Sequence, residues 1–369
     1  MKINKSSVAF SSIVGIGEKV KKASAAEGVE YLALNRGVNA VVNINLDNAE
    51  FLIDHNSTEY QTYAPNSGLL SLRKVIMKEY FPSLPVMNCH NITIMPGGMP
   101  GLDLIIQTLD VKAFMFPKFY WGSYSKMATI REQAYGVYDD ILTIDPKYCN
   151  SDHCIFVCDP NNPTGIKIDD ELLYKKLEAL SETGAVIVFD CPYRKLFNFS
   201  MDLFDRVAQL PNVIVCESFS KSLGISGSRL GFIYSDDDEF NAELAKRALY
   251  EFNGVCTPSQ LLVQRLLLSC MNDVLVFRSI TTGHILKNID YLAHNGLLAT
   301  EIYGDSKPHG MFAIVNLTED QLFEYKIGAV GLDKFTNEKE KYAKYSRICV
   351  SVPHNKFVEF FNKIVNDRV

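Results

Sequence analysis

The sequence is short of the features that mark several large classes of protein. No apolar run is long enough to cross a membrane. The amino terminus, Met1-Lys2-Ile3-Asn4-Lys5, has no long apolar stretch behind its charges, so no signal peptide is read there. Nine cysteines are present but no Cys-x-x-Cys pair, which argues against a zinc site, and no metal is expected. Cys154, Cys158, Cys216 and Cys349 lie inside apolar runs and read as reduced core thiols of a cytoplasmic protein. Positive charge is outweighed, with 37 Lys and Arg against 43 Asp and Glu and a net charge of -6, which argues against a nucleic-acid surface. There is one tryptophan, no internal repeat and no low-complexity segment. What remains is 369 residues, 47% hydrophobic and 22% charged, the profile of a soluble globular chain with enough core for two domains.

Three motifs then stand out, each directly after an apolar run that reads as a buried strand. After Val213-Ile214-Val215-Cys216 comes Ser218-Phe219-Ser220-Lys221, with Arg229 eight residues beyond the lysine. A lysine on such a loop can be desolvated, lose its proton and attack a carbonyl. The hydroxyls of Ser218 and Ser220 and the guanidinium of Arg229 suit a phosphate. An aldehyde that carries a phosphate, pyridoxal 5′-phosphate (PLP), meets both requirements. After Cys154-Ile155-Phe156-Val157 comes Asp159-Pro160-Asn161-Asn162-Pro163-Thr164-Gly165. After Ala185-Val186-Ile187-Val188-Phe189 comes Asp190-Cys191-Pro192-Tyr193. Each alone reads as an ordinary turn, and Lys221 alone as a solvated side chain. A carboxylate at the end of an apolar strand is costly unless paired, however, and all three motifs occur in order.

With these motifs the chain, from about Tyr63 to Arg347, resembles the class I and II aminotransferases of the fold type I PLP enzymes, aspartate aminotransferase-like in pattern. The resemblance implies that Lys221 forms the Schiff base with PLP and shuttles the proton. It implies that Asp190 pairs with the pyridine nitrogen, that Asn162 and Tyr193 hydrogen-bond the ring oxygen, and that Ser218 and Arg229 bind the phosphate. Gly98 and Met99, in Pro96-Gly97-Gly98-Met99-Pro100-Gly101, offer backbone amides at a helix start. The family usually has a small polar residue where Met99 stands. Trp121 is chosen to stack on the ring, with Phe119 and Tyr120 as alternatives. Arg347 matches the arginine that grips the substrate α-carboxylate, and Asn162 also faces the substrate. Tyr63 resembles the tyrosine that reaches the neighbouring subunit's cofactor, which implies a homodimer with shared active sites. Near Ile44 to Phe51 the family carries a glycine-rich segment that lines the substrate site, and here Asn45 or Asp47 stands where glycine is common, so Asn45 is expected to contact the substrate or narrow its pocket.

Strand and helix patterns alternate through the middle of the chain, with strands at 91–95, 113–116, 154–158, 185–189, 213–216 and 232–234. The expected fold is therefore α/β, that of a fold type I PLP-dependent transferase, with a mostly parallel sheet covered by helices and a smaller α+β domain. Residues 45–275 are assigned to a large PLP-binding domain, and 1–44 with 276–369 to the small one. In such sheets ligands sit beyond the carboxyl ends of the strands, where all three motifs fall. The expected activity is transfer of an amino group between an L-amino acid and a 2-oxo acid by a ping-pong mechanism. A carbon–sulfur β-lyase, a decarboxylase or a racemase would use the same lysine. A PLP-binding DNA regulator is disfavoured because the pattern begins almost at once and the chain is acidic. Neither nucleic acid nor membrane is expected as a partner.

Overall fold

The computed structural model describes residues 1–3, 5–46, 54–197, 199 and 202–368, with the side chain of Asp202 left aside. A short strand, β1 (Leu32–Ala33), precedes the seven strands of the main sheet. These are β2 (Ile92–Met95), β3 (Ala113–Pro117), β4 (Tyr135–Tyr138), β5 (His153–Cys158), β6 (Val186–Asp190), β7 (Val213–Ser218) and β8 (Gly231–Ser235). Four strands follow: β9 (Phe312–Val315), β10 (Ile327–Gly328), β11 (Val330–Gly331) and β12 (Ser346–Cys349). The main sheet runs β2-β8-β7-β6-β5-β3-β4, and only β8 is antiparallel to its neighbours.

The central strands read as continuous apolar runs because both faces of the sheet are covered. Ile155, Val157, Ile187, Phe189 and Val215 pack into one core, while Phe156, Val188, Ile214 and Cys216 pack into a second core on the opposite face. All six expected strands are present. The edge strand β4 was not read from the sequence. Its residues alternate between exposed and half-buried, so Tyr135-Gly136-Val137-Tyr138 lacks a continuous apolar signal. Two strands also run further than expected: β6 ends on Asp190 and β7 on Ser218, so these polar residues are the last members of their ladders.

The long helix Met271–His294 leads to a three-stranded antiparallel sheet, β11-β12-β9. The carboxy-terminal helix His354–Asn366 buries Phe357, Phe360, Phe361 and Ile364. The amino-terminal segment joins this region by backbone pairing. β1 lies parallel to β10, Leu34 N donates to the Gly328 carbonyl at 2.7 Å, and Cys349 N donates to the Leu34 carbonyl at 2.8 Å.

The C-terminal sheet is clamped to the turn after β5. Gly165 has φ +69°, and a Cβ there would lie 2.1 Å from the Phe312 carbonyl oxygen, so only glycine fits. His309 N and Gly310 N both donate to the Gly165 carbonyl, at 2.9 and 3.0 Å. Buried Tyr303 completes the clamp: its hydroxyl donates to the Thr164 carbonyl at 2.6 Å and accepts from Ile314 N at 2.8 Å. Tyr303→Phe leaves both backbone groups without that partner. It should lower stability by about 1–3 kcal/mol, read as a lower denaturation midpoint. An unchanged midpoint would show that the hydroxyl is not a clamp.

Candidate active site

The carboxyl ends of β5, β6 and β7 open onto one cavity of about 370 Å³. Its floor is set by the sheet register. Asp190 closes β6 and sits between Cys158 of β5 and Cys216 of β7. The carboxylate is buried, and Tyr124 donates a hydrogen bond to its Oδ2. Burial raises Asp190 from the ordinary carboxyl value of 3.8 to about 7, against the smaller pull of the Tyr124 hydroxyl. Tyr124 is itself enclosed by the rings of Phe156, Phe116 and Trp121, at centroid distances of 5.2, 5.4 and 5.7 Å.

Asn162 and Tyr193 stand on the loops after β5 and β6. Asn162 Nδ2 donates to the Tyr193 hydroxyl at 3.2 Å, and Asn162 Oδ1 accepts from Arg347 Nη1 at 3.1 Å. A buried ion pair between Arg194 and Asp159 ties the two loops together. Arg347 comes from β12, where it is opposite Ile314 of β9. Its guanidinium lies 4.5 Å from the Phe312 ring and 4.6 Å from the Phe335 ring. Its Nη2 donates to the Asn35 carbonyl. Its Nε is buried without a hydrogen-bond partner among the described residues. Burial pushes Arg347 down to about 10, which leaves it charged near neutrality.

Ser218 caps the short helix Phe219–Ser222, its Oγ accepting from Ser220 N at 3.4 Å. The two seryl oxygens are 3.1 Å apart, and Arg229 Nη1 donates to Ser220 Oγ at 3.4 Å and to the Ser226 carbonyl at 3.0 Å. Opposite them begins the helix Gly98–Thr108. At Gly97, with φ +103°, a Cβ would meet Arg229 Nη2 at 2.6 Å, so glycine here leaves room for the guanidinium. Lys221 follows on the same turn as Ser220 and donates to the Gly37 carbonyl. Burial is the main cause that pushes its ammonium down to about 8; Cys349 opposes this, and the positive Arg229 and Arg347 add to it.

The cavity wall thus gathers Lys221, Asp190, Tyr193 and Asn162 with Ser218, Ser220, Arg229, Gly98, Met99, Trp121 and Arg347. Of the three aromatic candidates, only Trp121 lines it. Phe119 packs edge-on to Tyr342, and Tyr120 points its hydroxyl to Asn337 at 2.9 Å. Two expected residues are elsewhere. Tyr63 is 87% exposed, and Asn45 is exposed and away from the cavity wall. Asp47 lies outside the described residues. The segment that does line the cavity is Arg36-Gly37-Val38, not the stretch around Asn45. Its neighbours Asn35 and Gly37 are held by Arg347 and Lys221, contacts between residues more than 180 positions apart. Tyr124 was likewise not read as a partner of Asp190. Its signal was its place in the helix Ser123–Ile130, which follows the Trp-Gly pair.

Residues 31–364 match the family model described as aminotransferase class I and II. The chain belongs to this family. Among curated class I and II relatives, histidinol-phosphate aminotransferase 2 of Bacillus cereus is 24% identical over 191 residues, 47% of this chain and 49% of that protein. An aspartate aminotransferase of Pyrococcus horikoshii is 24% identical over 208 residues, 53% of each. The chain thus spans about half the length of the curated relatives it matches. The fold matches that of aspartate aminotransferase from Thermus thermophilus with maleate, with a TM-score of 0.83, 17% identity and coverage of 99% of this chain and 100% of that one. Substrate-bound BacF from Bacillus subtilis aligns with a TM-score of 0.81, 17% identity and coverage of 99% and 98%.

PLP is the cofactor of the class I and II aminotransferases, and the residues present fit it. The glycine gap at Gly97, the paired seryl oxygens and Arg229 make a cradle for an anion. Across the cavity, Asp190 is a buried acid that a cationic ring nitrogen would stabilise.

Without cofactor, that acid destabilises the fold in a defined pH window. Folded protein keeps the Asp190 proton up to about pH 7, whereas the unfolded chain releases it near the ordinary value of 3.8. Between these values folding takes up a proton, so stability falls as pH rises. Cofactor-free Asp190→Asn should lose this contribution and gain about 2–4 kcal/mol over wild type at pH 7.5 relative to pH 4. Chemical denaturation at both pH values measures it, and equal slopes would refute the assignment.

Proposed function

We propose that this chain is a PLP-dependent aminotransferase that moves an amino group between an L-amino acid and a 2-oxo acid in two half-reactions of a ping-pong cycle. The observation that carries this reading is the meeting, in one cavity, of a lysine with a lowered pKa, a buried carboxylate and a sandwiched arginine. Bound PLP supplies an electron-poor ring that takes up the electron pair released when a bond to the α-carbon breaks.

The chain's own residues do the rest. Ser218, Ser220 and Arg229, with the backbone at Gly98 and Met99, would hold the cofactor phosphate. Trp121 would stack on its ring, and Asn162 with Tyr193 would hydrogen-bond the ring oxygen. Arg347 is the fork for the substrate α-carboxylate. The Asn35 carbonyl and Asn162 Oδ1 fix its plane, and its Nε is without a partner among the described residues. Lys221 Nζ accepts the α-proton and returns it. With a pKa near 8, about a tenth of Lys221 is neutral at pH 7, far more than for an ordinary lysine. Holding the carboxylate on Arg347 opposes its loss, which favours transamination over decarboxylation.

The same reading includes a homodimer in which exposed Tyr63 reaches across to the neighbouring subunit, and the division into 45–275 against 1–44 with 276–369. A cytoplasmic location is part of it, supported by nine free thiols, seven of them buried.

Absorbance spectroscopy tests the proposal. With PLP the protein should show a visible band that one amino acid bleaches without any acceptor and a 2-oxo acid restores. Lys221→Ala should abolish the cycle while the phosphate cradle still retains the cofactor. A band that persists while pyruvate, ammonia or an amine accumulates would instead indicate a lyase or a decarboxylase. Arg347→Gln should raise KM for amino acids by about tenfold to a hundredfold, since it removes a charged fork but keeps the polar contact. An unchanged KM would remove Arg347 from the substrate site.

A further inference from the structure

Among the described residues, four cations line the cavity, Arg36, Lys221, Arg229 and Arg347, against one carboxylate, Asp190. Three have work assigned above: Arg229 for the cofactor phosphate, Lys221 for the aldehyde and the proton, Arg347 for the α-carboxylate. Arg36 is left over. Its side chain is exposed and has no hydrogen bond or ion pair among the described residues.

Its placement is nonetheless well determined. The carbonyl before it, on Asn35, accepts from Arg347 Nη2, and the carbonyl after it, on Gly37, accepts from Lys221 Nζ. Asn35 Nδ2 also donates to the Ile13 carbonyl at 2.7 Å, which fixes this strand end against the helix Ser12–Glu27. A Cβ at Gly17 would stand at ordinary contact distance, 3.8 Å, from Arg36 Nε, which puts this side chain beside the helix Ser12–Glu27. The backbone that carries Arg36 is therefore pinned at Arg347 on one side and Lys221 on the other, and its guanidinium is part of the cavity wall. A planar, permanently charged fork with all donors open suits a carboxylate or a phosphate.

We infer that Arg36 forms a subsite for an acidic group at the far end of the amino donor, so that the substrates carry a second anion besides the α-carboxylate. This rests on the aminotransferase reading of the cavity. Ser11 and Ser123, also on the wall, add hydroxyls to the same lining.

The test compares donors of equal shape that differ in one charge: glutamate with glutamine, and aspartate with asparagine. Wild-type holoenzyme should favour the acidic member by about tenfold or more in kcat/KM. Arg36→Gln should lose that preference and change the neutral donors by less than about twofold, with Arg36→Lys between the two. O-phosphoserine against serine then reads whether phosphate or carboxylate is the preferred terminal anion. An acidic-to-neutral ratio that is the same in R36Q as in wild type overturns the subsite. So does an equal loss for all donors that disappears at high salt, since that is long-range attraction only. Calorimetric binding of succinate against butyrate separates this from the proposed function. If no donor is turned over, the aminotransferase reading fails. The subsite is then judged by whether R36Q loses the wild-type preference for succinate.

Discussion

The guanidinium of Arg347 is the point on which the site depends. It belongs to β12, yet it reaches the carbonyl of Asn35 in the amino-terminal segment and the side chain of Asn162 beyond the main sheet. Three stretches distant in sequence are brought to one planar group between two phenyl rings. A fork of this kind imposes direction as well as proximity, because its donors lie in one plane. The network continues from Asn162 to Tyr193, and the buried Arg194–Asp159 pair holds the loops beneath it. The cavity walls from β12 and from the loops after β5 and β6 are therefore parts of a single hydrogen-bonded framework.

The framework also keeps ionisable groups where their ordinary charges are expensive. Asp190 and Lys221 are shifted in opposite directions by the same cause, removal from water. Each is drawn toward its neutral form. That is costly for the empty fold and useful for chemistry, since an acid and an amine so displaced are both poised near neutral pH. The apolar cores on both faces of the sheet carry the compensating stability. Tyr124 moderates the cost at Asp190 with one hydrogen bond from an aromatic cluster that belongs to the core.

The site was legible where its residues follow strongly apolar strands. Asn162, Asp190 and Lys221 each come directly after such a run, and local pattern alone places them at strand ends. Arg347 was named from the resemblance alone, because it stands inside the short strand β12 and follows no apolar run. The segment Arg36-Gly37-Val38 was not, because its place depends on bonds to Lys221 and Arg347 and not on its own pattern. The family's glycine-rich segment near Ile44 to Phe51 drew attention to Asn45 instead. The choice among Phe119, Tyr120 and Trp121 was equally closed to local reading. It is decided by Tyr342 and Asn337, which occupy the first two from far along the chain. β4 escaped notice because an edge strand with a half-wet face needs no apolar run.

The fit at Gly165 has a consequence for how this cavity selects its ligands. The turn that presents Asn162 and the strand that begins at Phe312 touch with no atom to spare. Neither can shift along the other without breaking the two hydrogen bonds that His309 N and Gly310 N donate to the Gly165 carbonyl. The spacing between Asn162 and the sheet that carries Arg347 is therefore a fixed gauge. If Arg347 is the carboxylate fork proposed above, a molecule whose carboxylate lies at the wrong reach would be turned away by geometry at that end. The same seam couples the histories of two distant segments: a side chain at 165 is admissible only if the backbone near 312 moves away with it.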